Sequence, residues 1–171
     1  KKKRCQVVGV EVAKAAAKKA QGRGLKVIVG DIEEDVILKE LEKEGKFQVI
    51  LCTSVIEHLK DPSKALKKWR LFLEKTGSLI ISTPNICHWS SRLKILFGRF
   101  NYEDFGIFDK NHLHFFTIDS FKKLIETEGY LVEQIKIDSV GGGFPKISRF
   151  LGNFFPGVFA YQMITRAKNC R

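Results

Sequence analysis

VVGVEV at Val7–Val12 and VIVGDI at Val27–Ile32 decide the fold of this chain. Each is an apolar run that ends in a carboxylate, Glu11 in the first and Asp31 in the second. Val and Ile on both faces of a short run predict a strand buried inside a parallel sheet. A carboxylate just past the C-terminal end of such a strand faces the crevice where open α/β sheets bind ligands. Two of them, on successive strands, predict a nucleoside pocket, because ribose hydroxyls and an exocyclic amine need acceptors.

Working outward, the same alternation continues. Val12–Gln21 is rich in Ala and Lys and predicts a helix, ended by Gly22 and Gly24. Leu25–Val29 predicts the next strand, and Asp31–Glu44 a loop entering a short helix. Phe47–Cys52 (FQVILC) predicts a third buried strand and Ser54–Leu59 a helical turn. Asp61-Pro62 predicts the start of a helix running to about Lys75, broken by Gly77. Ser78–Ser82 (SLIIS) predicts a fourth strand, ended by Thr83-Pro84-Asn85. Strands alternating with helices imply right-handed βαβ units and an α/β fold with a parallel sheet.

The pattern then changes. Residues 86–116 are aromatic-rich and too long for a plain connection, and they predict an inserted, partly helical lid or substrate wall. HLHFFT at His112–Thr117 leads into a helix at Ile118–Glu128, capped by Thr117 or Asp119. Tyr130–Asp138 alternates as a strand, Gly141–Gly143 is a hinge-like break, and Val158–Arg166 predicts the last strand. All of this fits one domain over residues 1–171.

Composition narrows the function classes. The four cysteines show no CxxC or zinc spacing, which predicts free thiols in a reducing, cytoplasmic setting and no metal. No uninterrupted apolar span of membrane length is present. The net charge is +11, of which +8 falls in residues 1–30, where nine Lys or Arg meet one acid. Those lysines are not interleaved with aromatics, so a solvated helix face is favoured over a nucleic-acid surface. Phe144–Ile164, with Lys146 and Arg149, reads either as a core-covering helix and strand or as a peripheral membrane contact.

Five motifs, in order, resemble the class I S-adenosylmethionine-dependent methyltransferases, in the small-molecule branch with the ubiquinone-biosynthesis O-methyltransferases and methionine-biosynthesis-type proteins. They are GVEV at Gly9–Val12, RGLKVIVGDIEE at Arg23–Glu34, FQVILCTSVIEHLKDP at Phe47–Pro62, GSLIISTPN at Gly77–Asn85 and HLHFFT at His112–Thr117. The resemblance implies S-adenosyl-L-methionine as cofactor and a Rossmann-like sheet of order 3-2-1-4-5-7-6 with strand seven antiparallel. It implies that Glu11 and the adjoining Val12 meet the ribose, that Asp31 and the Ile32 amide meet the adenine, and that Thr53 lies beside the methionyl part. It also implies a small-molecule or glycan-linked acceptor, methylated at oxygen. STPN at Ser82–Asn85 lacks the Asn-Pro-Pro-aromatic signature of base amino-methylation.

His58 follows the fourth strand of that family order, and histidine is the side chain most easily poised as a base near neutral pH. It is the candidate base for a hydroxyl acceptor. His88, Trp89, His112 and His114 fall in or beside the insertion and are candidates to line the acceptor pocket. One departure is large. The family's first strand and glycine-rich loop would precede Lys1, where only KKKRCQ stands before Val7. The chain is therefore expected to be an incomplete domain that binds cofactor weakly by itself. Two other readings compete: a nicotinamide oxidoreductase, because an acid ending strand two also holds NAD ribose, and a non-catalytic module built on a degenerate methyltransferase fold. Oligomeric state is open.

Overall fold

A computed structural model describes residues 5–139 and 150–170. Gly141–Gly143, and the part of the Phe144–Phe155 segment before Phe150, lie outside the described residues. By its internal contacts the chain divides into two compact units, Lys1–Lys46 and Phe47–Arg171.

The first unit is a βαβα run: β1 (Val8–Glu11), α1 (Lys14–Gln21), β2 (Lys26–Val29) and α2 (Asp35–Glu42). β1 and β2 pair in parallel, with Glu11 opposite Val29. Ala17 is buried on α1, and Ile37, Leu38 and Leu41 are buried on α2. Gly30 follows β2 at a point of close approach, since a Cβ there would fall 2.3 Å from Ile37 Cδ1. Only a residue without a side chain lets α2 pack so near the strand end.

The second unit holds β3 (Phe47–Thr53), a 3₁₀ turn at Ile56–His58, α3 (Pro62–Phe72), β4 (Leu73–Pro84), α4 (Trp89–Leu96), α5 (Ile118–Thr127), β5 (Tyr130–Asp138) and β6 (Gln162–Asn169). Its four strands run β3-β4-β6-β5. β3 and β4 are parallel, whereas β6 is antiparallel to both its neighbours. Each ladder taken by itself fits a stretch of the expected order 3-2-1-4-5-7-6: β1-β2 its 2-3 pair, and β3-β4-β6-β5 its 4-5-7-6 run. The α/β class, the parallel pairing within each ladder and the antiparallel C-terminal strand are thus as the sequence predicted.

Three local expectations need correction. The helix begun by Pro62 ends at Phe72, and β4 starts at once with Leu73. Ala65, Leu66, Trp69 and Phe72 complete the helix's buried stripe, so continuing it would bury nothing further. Gly77 sits in an irregularity of β4 instead: pairing steps from Phe47↔Leu73 to Val49↔Ser78, so residues 74–77 loop out of register. The last strand starts later than predicted. Pro156 opens a single turn of helix, Pro156–Phe159, and the strand begins only at Gln162. β3 is not buried on both faces either. Cys52 is buried, whereas Val49 and Leu51 are 52% and 67% exposed, because β3 is the edge of its sheet and pleating turns alternate residues to the open face.

The core lies on the other face, with Leu79, Ile81, Met163, Thr165 and Ala167 fully buried. The Tyr130 hydroxyl donates to Leu66 O at 2.8 Å, tying β5 to α3. Thr117 caps α5 through a box with Ser120, while Phe121 and Ile125, one turn apart, fill the core. Asn85 is buried and spends its amide on Gly157 O (3.2 Å) and Ala160 O (2.9 Å), so it anchors the end of β4. Among the described residues no helix is long and apolar enough to cross a membrane.

Candidate active site

Glu11 and Asp31 occupy the strand ends the sequence assigned them. Glu11 is the last residue of β1, and Asp31 follows Gly30, whose N–H donates to Glu11 O at 3.1 Å. Because β1 and β2 are parallel neighbours, the two carboxylates stand at the same edge of one ladder. Each already accepts one local bond, Glu11 Oε1 from Ala13 N (2.8 Å) and Asp31 Oδ1 from Glu33 N (2.9 Å). These bonds fix the side chains just before α1 and in the turn before α2. A carboxylate has about four acceptor sites, so both retain capacity for a hydroxyl pair or an amine. On that chemistry this edge fits a nucleoside. Val12 is exposed beside Glu11, and Ile32 follows Asp31 in the turn.

In the second unit, Thr53 ends β3 and Ser54 follows with a positive φ of 51°. A serine in the left-handed region is held there by its surroundings. Its N–H donates to Ser82 O (3.1 Å), and Gln162 Nε2 donates to both Ser54 Oγ (2.9 Å) and Ser82 Oγ (3.1 Å). Gln162 comes from β6, 108 residues away, and no local pattern marks it for this role.

The 3₁₀ turn then presents Glu57 and His58. Glu57 is 1% exposed, and among the described residues neither of its carboxylate oxygens has a hydrogen-bond partner. Burial pushes its carboxyl above the usual range, against weaker opposing pulls from its backbone amide, the Thr83 hydroxyl, His58 and His112. Its backbone carbonyl accepts from both Leu113 N (2.9 Å) and His114 N (3.1 Å). That clip seats the 107–114 segment on the turn. His112 meets His58 with ring centroids 4.8 Å apart. His58 Nδ1 lies 2.9 Å from Asn111 O, and His112 Nδ1 lies 3.0 Å from Ile107 O. A carbonyl only accepts, so each ring carries a proton on Nδ1, and in the neutral imidazole Nε2 is then the acceptor.

The other acceptor-side candidates fall elsewhere. His88 is buried as the N-cap of α4, against Trp89 (5.5 Å between ring centroids) and Tyr161 (5.3 Å). Burial holds its imidazole below the usual range. His114 stacks on Phe116 at 6.2 Å. Of the four, His112 is the one whose ring contacts His58, and His88 with Trp89 forms a second cluster. The sequence did not mark Glu57, whose signal would have been an acid inside the otherwise apolar turn SVIEHL.

The cysteines are free: Cys5 and Cys170 are exposed, Cys87 is half-buried and Cys52 is buried. Burial, with the nearby Glu57 charge, pushes the Cys52 thiol up to about 12, so it is inert at neutral pH.

Comparison with known proteins places this architecture. An uncharacterized protein of Methanocaldococcus jannaschii is 34% identical over 74 residues, 43% of this chain and 34% of that protein. A ubiquinone biosynthesis O-methyltransferase of Alkalilimnicola ehrlichii is 28% identical over 82 residues, 47% of this chain and 33% of that protein. The matches span about a third of the length of these curated relatives. A solved S-adenosylmethionine-dependent methyltransferase of Thermotoga maritima superposes with a TM-score of 0.63 at 21% identity, covering 94% of this chain and 72% of its own, and so shares the fold. The family model described as a methyltransferase domain matches residues 1–135. The chain belongs to the methyltransferase domain family.

Proposed function

We propose that this chain is the cofactor-binding and acceptor-binding part of an S-adenosyl-L-methionine-dependent methyltransferase acting on a small-molecule or glycan-linked hydroxyl. The observation that carries the reading is the pair of carboxylates, Glu11 and Asp31, on neighbouring parallel strand ends with acceptor capacity to spare. Glu11 with Val12 holds the ribose, Asp31 with Ile32 the adenine, and Thr53 the methionyl part. When bound, the cofactor supplies an electrophilic methyl group. On the acceptor side, His58 takes the hydroxyl proton at Nε2, which its Nδ1 contact with Asn111 leaves open. His88, Trp89, His112 and His114 are the candidate walls. Methylation at oxygen is favoured by the segment shared with the ubiquinone O-methyltransferase and by a base placed in the turn after β3.

Calorimetric titration with S-adenosylhomocysteine tests the reading. Enthalpic binding that is lost in Asp31→Ala supports it. Binding of NADH in its place would favour an oxidoreductase, and binding of neither would favour a non-catalytic module.

A further inference from the structure

Glu57, His58 and His112 each offer one ligand atom, and the three atoms lie within 4.8 Å of one another. No zinc spacing marks this group in the sequence, because His112 is brought in by the Glu57 backbone clip and not by proximity along the chain. A cluster of donors alone would mean little. Here, however, the carboxylate is almost wholly buried and, among the described residues, neither of its oxygens has a hydrogen-bond partner within reach, an arrangement that is costly unless something positive or protic meets it. Both imidazoles have Nδ1 committed to a backbone carbonyl, Asn111 O for His58 and Ile107 O for His112. Histidines that bind metal through one nitrogen are oriented in this way through the other. The supporting loop is itself braced. Asp109 Oδ1 accepts from Asn111 N (2.8 Å) and Asn111 Nδ2 (2.9 Å), and His112 N donates to Asp109 O (3.0 Å).

We propose that Glu57 and the Nε2 atoms of His58 and His112 form a binding site for a divalent transition-metal ion, with coordination positions left open for an acceptor oxygen. Two imidazoles and one carboxylate suit Zn²⁺, Fe²⁺, Mn²⁺ or Co²⁺ better than the all-oxygen preference of Ca²⁺ or Mg²⁺. Three protein ligands leave room for a fourth group, as catalytic sites do and closed structural sites do not. An ion about 2.1 Å from each ligand holds them roughly 3–4 Å apart, a spacing compatible with ligand atoms that all lie within 4.8 Å of one another.

The consequence for chemistry rests on the proposed O-methyl transfer. A hydroxyl bound to the ion loses its proton to solvent water as the metal–oxygen bond forms, and the ion orients the resulting alkoxide. In the loaded protein His58 is then a ligand, and the ion takes over the activating role assigned to it as a base.

The test needs neither cofactor nor acceptor. Co²⁺ and Zn²⁺ are titrated into the full chain, with calorimetry for stoichiometry, visible absorption for Co²⁺ geometry and X-ray absorption at the zinc edge for ligand identity. One ion per chain with two imidazoles and no sulfur is expected. Glu57→Gln and His112→Gln, each checked for folding by circular dichroism, are expected to weaken binding at least tenfold. A sulfur shell from Cys5 or Cys170, unchanged affinity in a folded variant, or no binding overturns the proposal. S-adenosylhomocysteine calorimetry on the same samples reads the cofactor half separately, so either reading can fail without the other.

Discussion

Glu11 and Asp31, at one ladder edge of the first unit, differ sharply from Glu57, His58 and His112 in the second. The strand-end carboxylates are each satisfied by one local backbone N–H two residues on. They need little from the rest of the molecule, because a strand that ends and a helix that begins position them. Glu57 is the reverse. It is buried, its side chain finds no hydrogen-bond partner among the described residues, and its backbone carbonyl clips it to residues 56 and 57 positions further along the chain. One site is made by chain-local geometry and waits in water for its ligand. The other is made by tertiary contact and holds an unpaid desolvation cost. A ligand that satisfies Glu57 therefore gains from relief of that cost as well as from its own bonds.

The largest expected effect separates the two regions directly. Glu11→Ala and Asp31→Ala should each weaken S-adenosylhomocysteine binding by on the order of 10- to 100-fold, the loss of hydrogen bonds to a charged acceptor. Circular dichroism melts should move little, Glu11→Ala by the loss of its bond to Ala13 N, about 0.5–1 kcal/mol. His112→Ala should leave that affinity within about twofold while removing the contact with His58. Equal effects from all three in calorimetry would break the comparison.

Next in size is the clip. Leu113→Pro deletes the N–H that donates to Glu57 O and should cost about 1–3 kcal/mol in urea unfolding. Leu113 is exposed, so its side chain contributes little to that figure. An unchanged midpoint would mean that His114 N alone seats the segment.

The smallest effect is a pH slope. Burial lowers the folded-state affinity of His88 for a proton, so the unfolded chain binds it first as pH falls. Stability contributed by neutral His88 is present above about pH 6.5 and is lost below it, down to the depressed folded value. Thermal melts should show a stability that falls as the pH is lowered from 7 to 5, and His88→Gln should flatten that slope. A slope identical in the variant would assign it elsewhere.

Val7–Val12, Val27–Ile32 and Phe47–Cys52 were legible as strands because apolar runs bounded by turn residues have few other uses. Their carboxylates were legible as site candidates because strand ends in parallel sheets share one edge. The start of β4 was not legible: helix α3 stops where its buried stripe is complete, a fact about the surface it packs on and not about Leu73–Lys75 themselves. Gln162 bridging Ser54 and Ser82 carries no pattern at all, since a lone glutamine becomes informative only when β6 pairs with β4.

By itself the sequence determined the order of strands and helices, the placement of Glu11, Asp31 and Thr53 at strand ends, and His58 in the turn beyond, because periodicity and punctuation act over a few residues. Tertiary structure alone decided that His112 meets His58, that His88 packs apart from them against Trp89 and Tyr161, and that the Glu57 carboxylate is buried with no hydrogen-bond partner among the described residues. Those outcomes depend on which backbone N–H finds which carbonyl across more than fifty residues, and free energies of that kind are settled only when the chain has closed.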